Sequence, residues 1–70
     1  TKNELRILSL LMRSAGAIVP RETIMVELWD SDAFVDDNTL TVNINRLRQT
    51  LARLGVNDYL VTHRGQGYSV

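Results

Sequence analysis

The chain is 70 residues long, 44% hydrophobic and 23% charged, and its eight basic and eight acidic side chains cancel. A chain this short buries only about 60% of the surface its unfolded form exposes, enough for one small core and one domain over 1–70. Cysteine is absent, which excludes disulfide scaffolds and thiolate metal sites and fits a cytoplasmic origin. There is no signal-peptide pattern and no apolar run near the roughly 18 residues of a membrane span, so no exported or membrane-bound segment is expected.

The zero net charge hides a sorting along the chain. Residues 1–37 carry Lys2, Arg6, Arg13 and Arg21 against seven acids, giving −3, whereas residues 38–70 carry Arg46, Arg48, Arg53 and Arg64 against Asp58 alone, giving +3. A surface for a polyanion could therefore lie in the second half. In seventy residues the same sorting can also arise by chance.

Thr1-Lys2-Asn3-Glu4 reads as a capping box, opening a first helix over about 2–14 that Gly16 stops. Leu5, Leu8, Leu11 and Met12 form one apolar arc, taken as the face toward the core. Ile7 and Leu10 fall outside it, so the apolar surface is wider than one partner needs. That excess suggests a packing partner missing from a chain that looks cut from something longer.

Ala17-Ile18-Val19 is a short extended stretch. Pro20 opens a second helix over about 20–29, with Ile24, Met25, Leu28 and Trp29 expected to face inward. Residues 30–37 form an acidic connection. A calcium loop begun at Asp30 would need an oxygen ligand at Phe34, Gly at Val35 and Glu at Thr41, so that reading fails. Asp30, Asp32, Asp36 and Asp37 are better read as caps for the next helix and as a contact surface.

The third helix, over about 37–54, contains NTLTVNINRLRQTLARLG. Leu40, Ile44, Leu47, Leu51 and Leu54 follow the 4-3-4-3 spacing of one buried stripe. The opposite side holds Asn38, Val42, Asn45, Gln49 and Arg53, with Thr39, Asn43 and Arg46 on one shoulder and Arg48 on the other. Gly55 supplies the stop. The segment 59–70 then presents two β-rich runs around Arg64-Gly65-Gln66-Gly67, a hairpin with a basic tip. The fold expected is α+β: three helices and a C-terminal β-hairpin, a winged helix-turn-helix.

Such a helix, about 27 Å long, suits the major groove of double-stranded DNA. Arg46, Asn43 and Asn45 offer base-reading chemistry, Thr39 and Arg48 suit phosphate, and Val42 suits a thymine methyl. Exposed helical arginines are also commonly just solvated, and Val42 reads equally as a tolerated surface valine. Asn is a poor residue inside a helix, which favours a functional reason for Asn43 and Asn45. Arg64, at a glycine-flanked tip, suits the minor groove. Catalysis is poorly supported: His63 is the single histidine, no nucleophile has a base, and Gly65-x-Gly67 is too short for a nucleotide loop. No enzyme and no cofactor are expected. The rival reading is a winged helix that binds protein through its third helix and acidic loop.

Residues spread over essentially the whole chain also resemble a known family. TKNELRILSLL, AIVPRETIMVELW, DDNTLTVNINRLRQTL and VTHRGQGYSV are similar to the C-terminal effector domains of OmpR/PhoB-type bacterial response regulators. Most specific are the triplet Arg46-Leu47-Arg48 and the closing Thr62, Arg64, Gly65, Gly67 and Tyr68. DDNTLTVN and NELRILSLL look closest to the BceR/GraR-like branch, which answers peptide antibiotics and envelope stress. The resemblance implies a receiver domain phosphorylated by a sensor histidine kinase, a homodimer in the full-length protein, and binding to direct repeats of DNA. It implies an RNA polymerase contact at 30–37 and a small N-terminal sheet, absent here, packed on the first helix. It carries DNA contacts to Asn38, Thr39, Val42, Asn43, Asn45, Arg46 and Arg48 in the third helix, and to Thr62, Arg64 and Tyr68 in the wing. Many relatives are more basic where this chain has Asn38, Asn43 and Asn45, which implies weaker non-specific attraction to phosphate. Pro20 stands where a Ser cap is usual, and His63 where an aliphatic residue is common.

Overall fold

The computed structural model describes residues 2–29 and 35–70. The order is α1 (Lys2–Arg13), β1 (Val19–Pro20), α2 (Arg21–Trp29), α3 (Asp37–Arg53), β2 (Val61–His63) and β3 (Gly67–Ser69). The strands form one antiparallel sheet in the order β1-β3-β2, with Val19 opposite Tyr68, Pro20 opposite Gly67, and Val61, Thr62 and His63 opposite Ser69, Tyr68 and Gly67. The Thr1 half of the expected capping box, together with Asp30, Asp32 and Phe34, lies outside the described residues.

The core is a small apolar cluster where the three helices meet the sheet. Ile7 and Leu11 of α1, Ile24 and Leu28 of α2, and Leu40 and Ile44 of α3 are almost wholly enclosed; Val19, Leu60 and Tyr68 close the sheet side, and Val35, just before α3, is buried as well. The inner face of α1 differs from the expected arc. Glu4, Ile7 and Leu11 point inward, while Leu5 (69% exposed) and Met12 (54%) face out. Lys2, Arg6, Ser9 and Arg13 share one polar strip, and the broad apolar span opposite is centred near Ile7 and Leu11, with Leu5 and Met12 toward its edge. Glu4 settles on the inner side because the Thr50 hydroxyl of α3 donates to its carboxylate at 3.1 Å. Burial raises the Glu4 pKa, but the Thr50 bond and nearby positive charge, Arg46 included, leave the carboxyl below its ordinary value. The surplus apolar surface is thus Leu5 and Met12 rather than Ile7 and Leu10; Leu10 packs on the edge of the core.

Trp29, expected inside, is 52% exposed. On α2 the buried stripe is Ile24 and Leu28, and the next position along turns about 100° away from it. Leu54, the expected end of the α3 stripe, is 72% exposed because the helix stops at Arg53. There Gly55, at φ +81°, closes the helix: its amide bonds Ala52 O at 3.0 Å and the Val56 amide bonds Leu51 O at 2.8 Å. These are the paired bonds of a Schellman motif, and the left-handed residue they require is glycine.

Candidate nucleic-acid interface

The candidate surface is the outward side of α3 together with the hairpin beside it. At the N-terminus, Asp36 caps the helix, its Oδ1 accepting from the Thr39 amide at 2.8 Å. That bond holds the Asp36 carboxyl below its ordinary pKa. Beyond Asp37 the helix carries no acid, and Asn38, Val42, Asn45, Arg46, Gln49 and Arg53 are all exposed along it. Thr39 is half-buried at the edge of this strip. Arg64 is exposed at the wing tip, where the Gln66 amide bonds His63 O at 2.9 Å to close the turn.

Two of the sequence candidates lie elsewhere. Asn43 is only 6% exposed, and its Nδ2 donates to Thr39 O at 2.8 Å, one turn back. The polar residue that looked costly in a helix therefore satisfies the helix's own backbone. Tyr68 is 5% exposed, its ring in the core and its hydroxyl accepting from Arg21 at 2.6 Å. Neither side chain is presented as a free reading group.

Arg48 and Thr62 are brought together. Arg48 Nη2 donates to Thr62 Oγ1 at 2.8 Å and to Leu60 O at 3.4 Å, tying α3 to the outer strand of the wing. Both side chains remain exposed, so the pair lies in the junction between helix and wing. His63 faces Gly67 across the hairpin, and its Nε2 lies 2.7 Å from the Oγ of Ser69, two residues further along β3. That contact gives His63 a place in the wing, which sequence alone left without an account. Of the acids read as a contact surface, Asp36 is occupied as the cap and Asp37 pairs with Arg21 at 3.2 Å. Among the described residues no group of three or more His, Cys, Asp or Glu is gathered for a metal, and no helix is long and apolar enough to cross a membrane.

Arg21 is the residue that sequence reading missed. It belongs to α2, yet it reaches Asp37 and Thr41 on α3 and Tyr68 on β3. A cation as the first residue of a helix, against the helix dipole, was the available signal.

Comparison with known proteins agrees with this arrangement. Residues 1–70 match the family described as "Transcriptional regulatory protein, C terminal". Over 68 residues, 97% of the chain, it is 50% identical to the response regulator protein GraR of Staphylococcus saprophyticus and 48% identical to GraR of Staphylococcus aureus, spanning 30% of each. It is likewise 48% identical to the transcriptional regulatory protein YvcP of Bacillus subtilis, spanning 29% of it. The chain thus spans less than a third of these relatives. The solved C-terminal domain of the nisin resistance regulator NsrR, a lantibiotic response regulator, superposes with a TM-score of 0.84 at 40% identity, covering 99% of this chain and 70% of that one. Family, fold and exposed helix face converge: the chain belongs to the DNA-binding C-terminal domains of OmpR/PhoB-type response regulators, transcription regulators rather than enzymes, and within them to the GraR-like members.

Proposed function

We propose that the chain reads double-stranded DNA with α3 in the major groove and the wing tip in the adjacent minor groove. The carrying observation is the acid-free outer face of α3 with the Arg64 tip beside it. Arg46 and Asn45 are the base-reading groups, Val42 is the contact for a thymine methyl, and Asn38 and Thr39 sit at the helix start. Arg48 and Thr62, already joined, present one positive edge to the phosphates between the grooves. Arg64 enters the minor groove.

The larger protein, on this reading, is a cytoplasmic response regulator with a receiver domain phosphorylated by a sensor histidine kinase. Phosphorylation favours a homodimer, and two output domains bind direct repeats. The sparse positive charge on α3 makes that pairing important, because each domain alone gains little from phosphate. The GraR-like placement and the nisin resistance regulator among the structural relatives support envelope-active peptides as the class of signal. The segment 30–37 is the candidate contact for RNA polymerase.

The test is a titration of a mixed-sequence duplex into isotope-labelled protein at low salt, followed by backbone amide shifts. Shifts concentrated in 38–53 and 62–66 that fade as salt rises are expected. A folded sample with shifts only around α2 would instead favour a protein-binding module. Within the DNA reading, Arg46→Ala is expected to cost about 1–3 kcal/mol of specific binding and to relax preference at one base pair, measured against single-position variants of a selected site.

A further inference from the structure

We propose that Arg21 is a positioning residue for DNA reading: without contacting a base, it sets the angle between α3 and the wing. The inference rests on the DNA-binding role given to those two elements.

The side chain is placed against local preference. Arg21 is the first residue of α2, where positive charge opposes the helix dipole, and the preceding Pro20 has no side-chain oxygen to cap that end. Its guanidinium is instead spent inside the molecule. Nε donates to Asp37 Oδ1 at 3.2 Å, and Nη2 to both Asp37 O and Thr41 Oγ1 at 3.2 Å. Nη1 donates to the Tyr68 hydroxyl at 2.6 Å, and the guanidinium carbon lies 5.7 Å from the centre of the Tyr68 ring. A planar fork with five donors can hold these partners at once, which a lysine ammonium on a flexible stem does not reproduce.

The partners are well chosen for alignment. Asp37 and Thr41 are one turn apart on α3, so gripping both fixes its rotation as well as its position. Tyr68 lies in β3, the central strand, which pairs with both β1 and β2. Whatever holds Tyr68 therefore holds the whole wing. Arg48 ties α3 to β2 by a second, separate route. With the Arg21 tie gone, the buried Tyr68 ring and the Arg48 contact still join the wing to α3, but no polar bond fixes the angle at Tyr68. A site that must engage two grooves together then has to be assembled during binding instead of beforehand, and that cost falls on specific complexes.

The experiment compares wild type with Arg21→Lys, which keeps the charge, and Tyr68→Phe, which removes one hydroxyl from a buried ring. Residual dipolar couplings of the free protein report the relative orientation of α3 and the wing. Affinity is read on two duplexes: one selected by the wild type from a randomised pool, and one of mixed sequence. In both variants the couplings of α3 and wing are expected to stop fitting a single alignment. Affinity for the selected duplex should fall about tenfold, with the mixed-sequence affinity and its salt slope unchanged. Unchanged couplings, with equal losses on both duplexes and in Arg21→Ala a salt slope lower by about one phosphate, would make Arg21 a backbone contact and overturn the proposal. If the wild type bound neither duplex, the DNA reading itself would fail, while the couplings would still decide whether Arg21 holds the angle.

Discussion

Gly67→Ala is expected to cost about 3 kcal/mol or more of folding stability and to leave the wing without ordered structure. A Cβ on Gly67 would collide with the Val19 carbonyl oxygen and lie 2.8 Å from its carbon and 2.9 Å from Pro20 Cα. All three are backbone atoms of the strand that Gly67 faces in register, so no side chain can swing aside to make room. A domain of this size has on the order of 4–10 kcal/mol of stability in total, so such a loss removes much of it. Urea unfolding checks the magnitude, and amide signals of residues 61–69 check the location. Gly65→Ala is the matched control: φ there is +70°, but nothing lies within 4 Å of the added carbon. It should cost only the left-handed backbone penalty of about 1 kcal/mol. A Gly67→Ala protein with wild-type stability and an unshifted wing would show that β1 does not approach β3 as closely as described.

The second large effect separates two residues of α1. Ile7→Ala is expected to cost about 2–5 kcal/mol, because the side chain is wholly enclosed and its removal leaves a cavity. Leu5→Ala, two residues away, should change stability by no more than about 0.5 kcal/mol, because the side chain is mostly in water. The same denaturation measurement on the two variants decides the matter. Equal losses would mean that α1 is rotated from the orientation described. Reversed losses would restore the face that the Leu5, Leu8, Leu11 and Met12 arc implies.

That contrast shows where sequence was sufficient. The fold class was legible because its signals are local and redundant: a Pro at the start of α2, a Gly beyond each of α1 and α3, and a 4-3-4-3 stripe whose first four members are buried in α3. The stripe failed only at Leu54, where the helix had already ended. The inner face of α1 was misjudged because the expected arc sat at one edge of a broad apolar span whose middle holds Ile7 and Leu11. Glu4 also lies in that middle, where its bond from Thr50 accounts for it. Trp29 misled because size and apolarity argue for burial, while its position on the helix decides it. The outer face of α3 was legible as an exposed polar strip. Asn43 was not, because its return lies in a bond to Thr39 O that residue types alone do not reveal. Arg21 escaped notice for a related reason: its partners are 16, 20 and 47 residues away in sequence.

The order of strands has a consequence for how the protein is made. β3 leaves the ribosome after β1 and β2, yet it lies between them. Until it arrives, β1 and β2 have no neighbour, and the hydroxyl that Arg21 grips does not yet exist. Pairing Val19 with Tyr68 then closes a loop of about 50 of the 70 residues, a non-local step of the kind that slows folding. The three helices can gather during synthesis, but the wing is completed afterwards, in one event. A nascent chain that has not yet reached Gly67 therefore carries α3 without the central strand that joins β1 to β2.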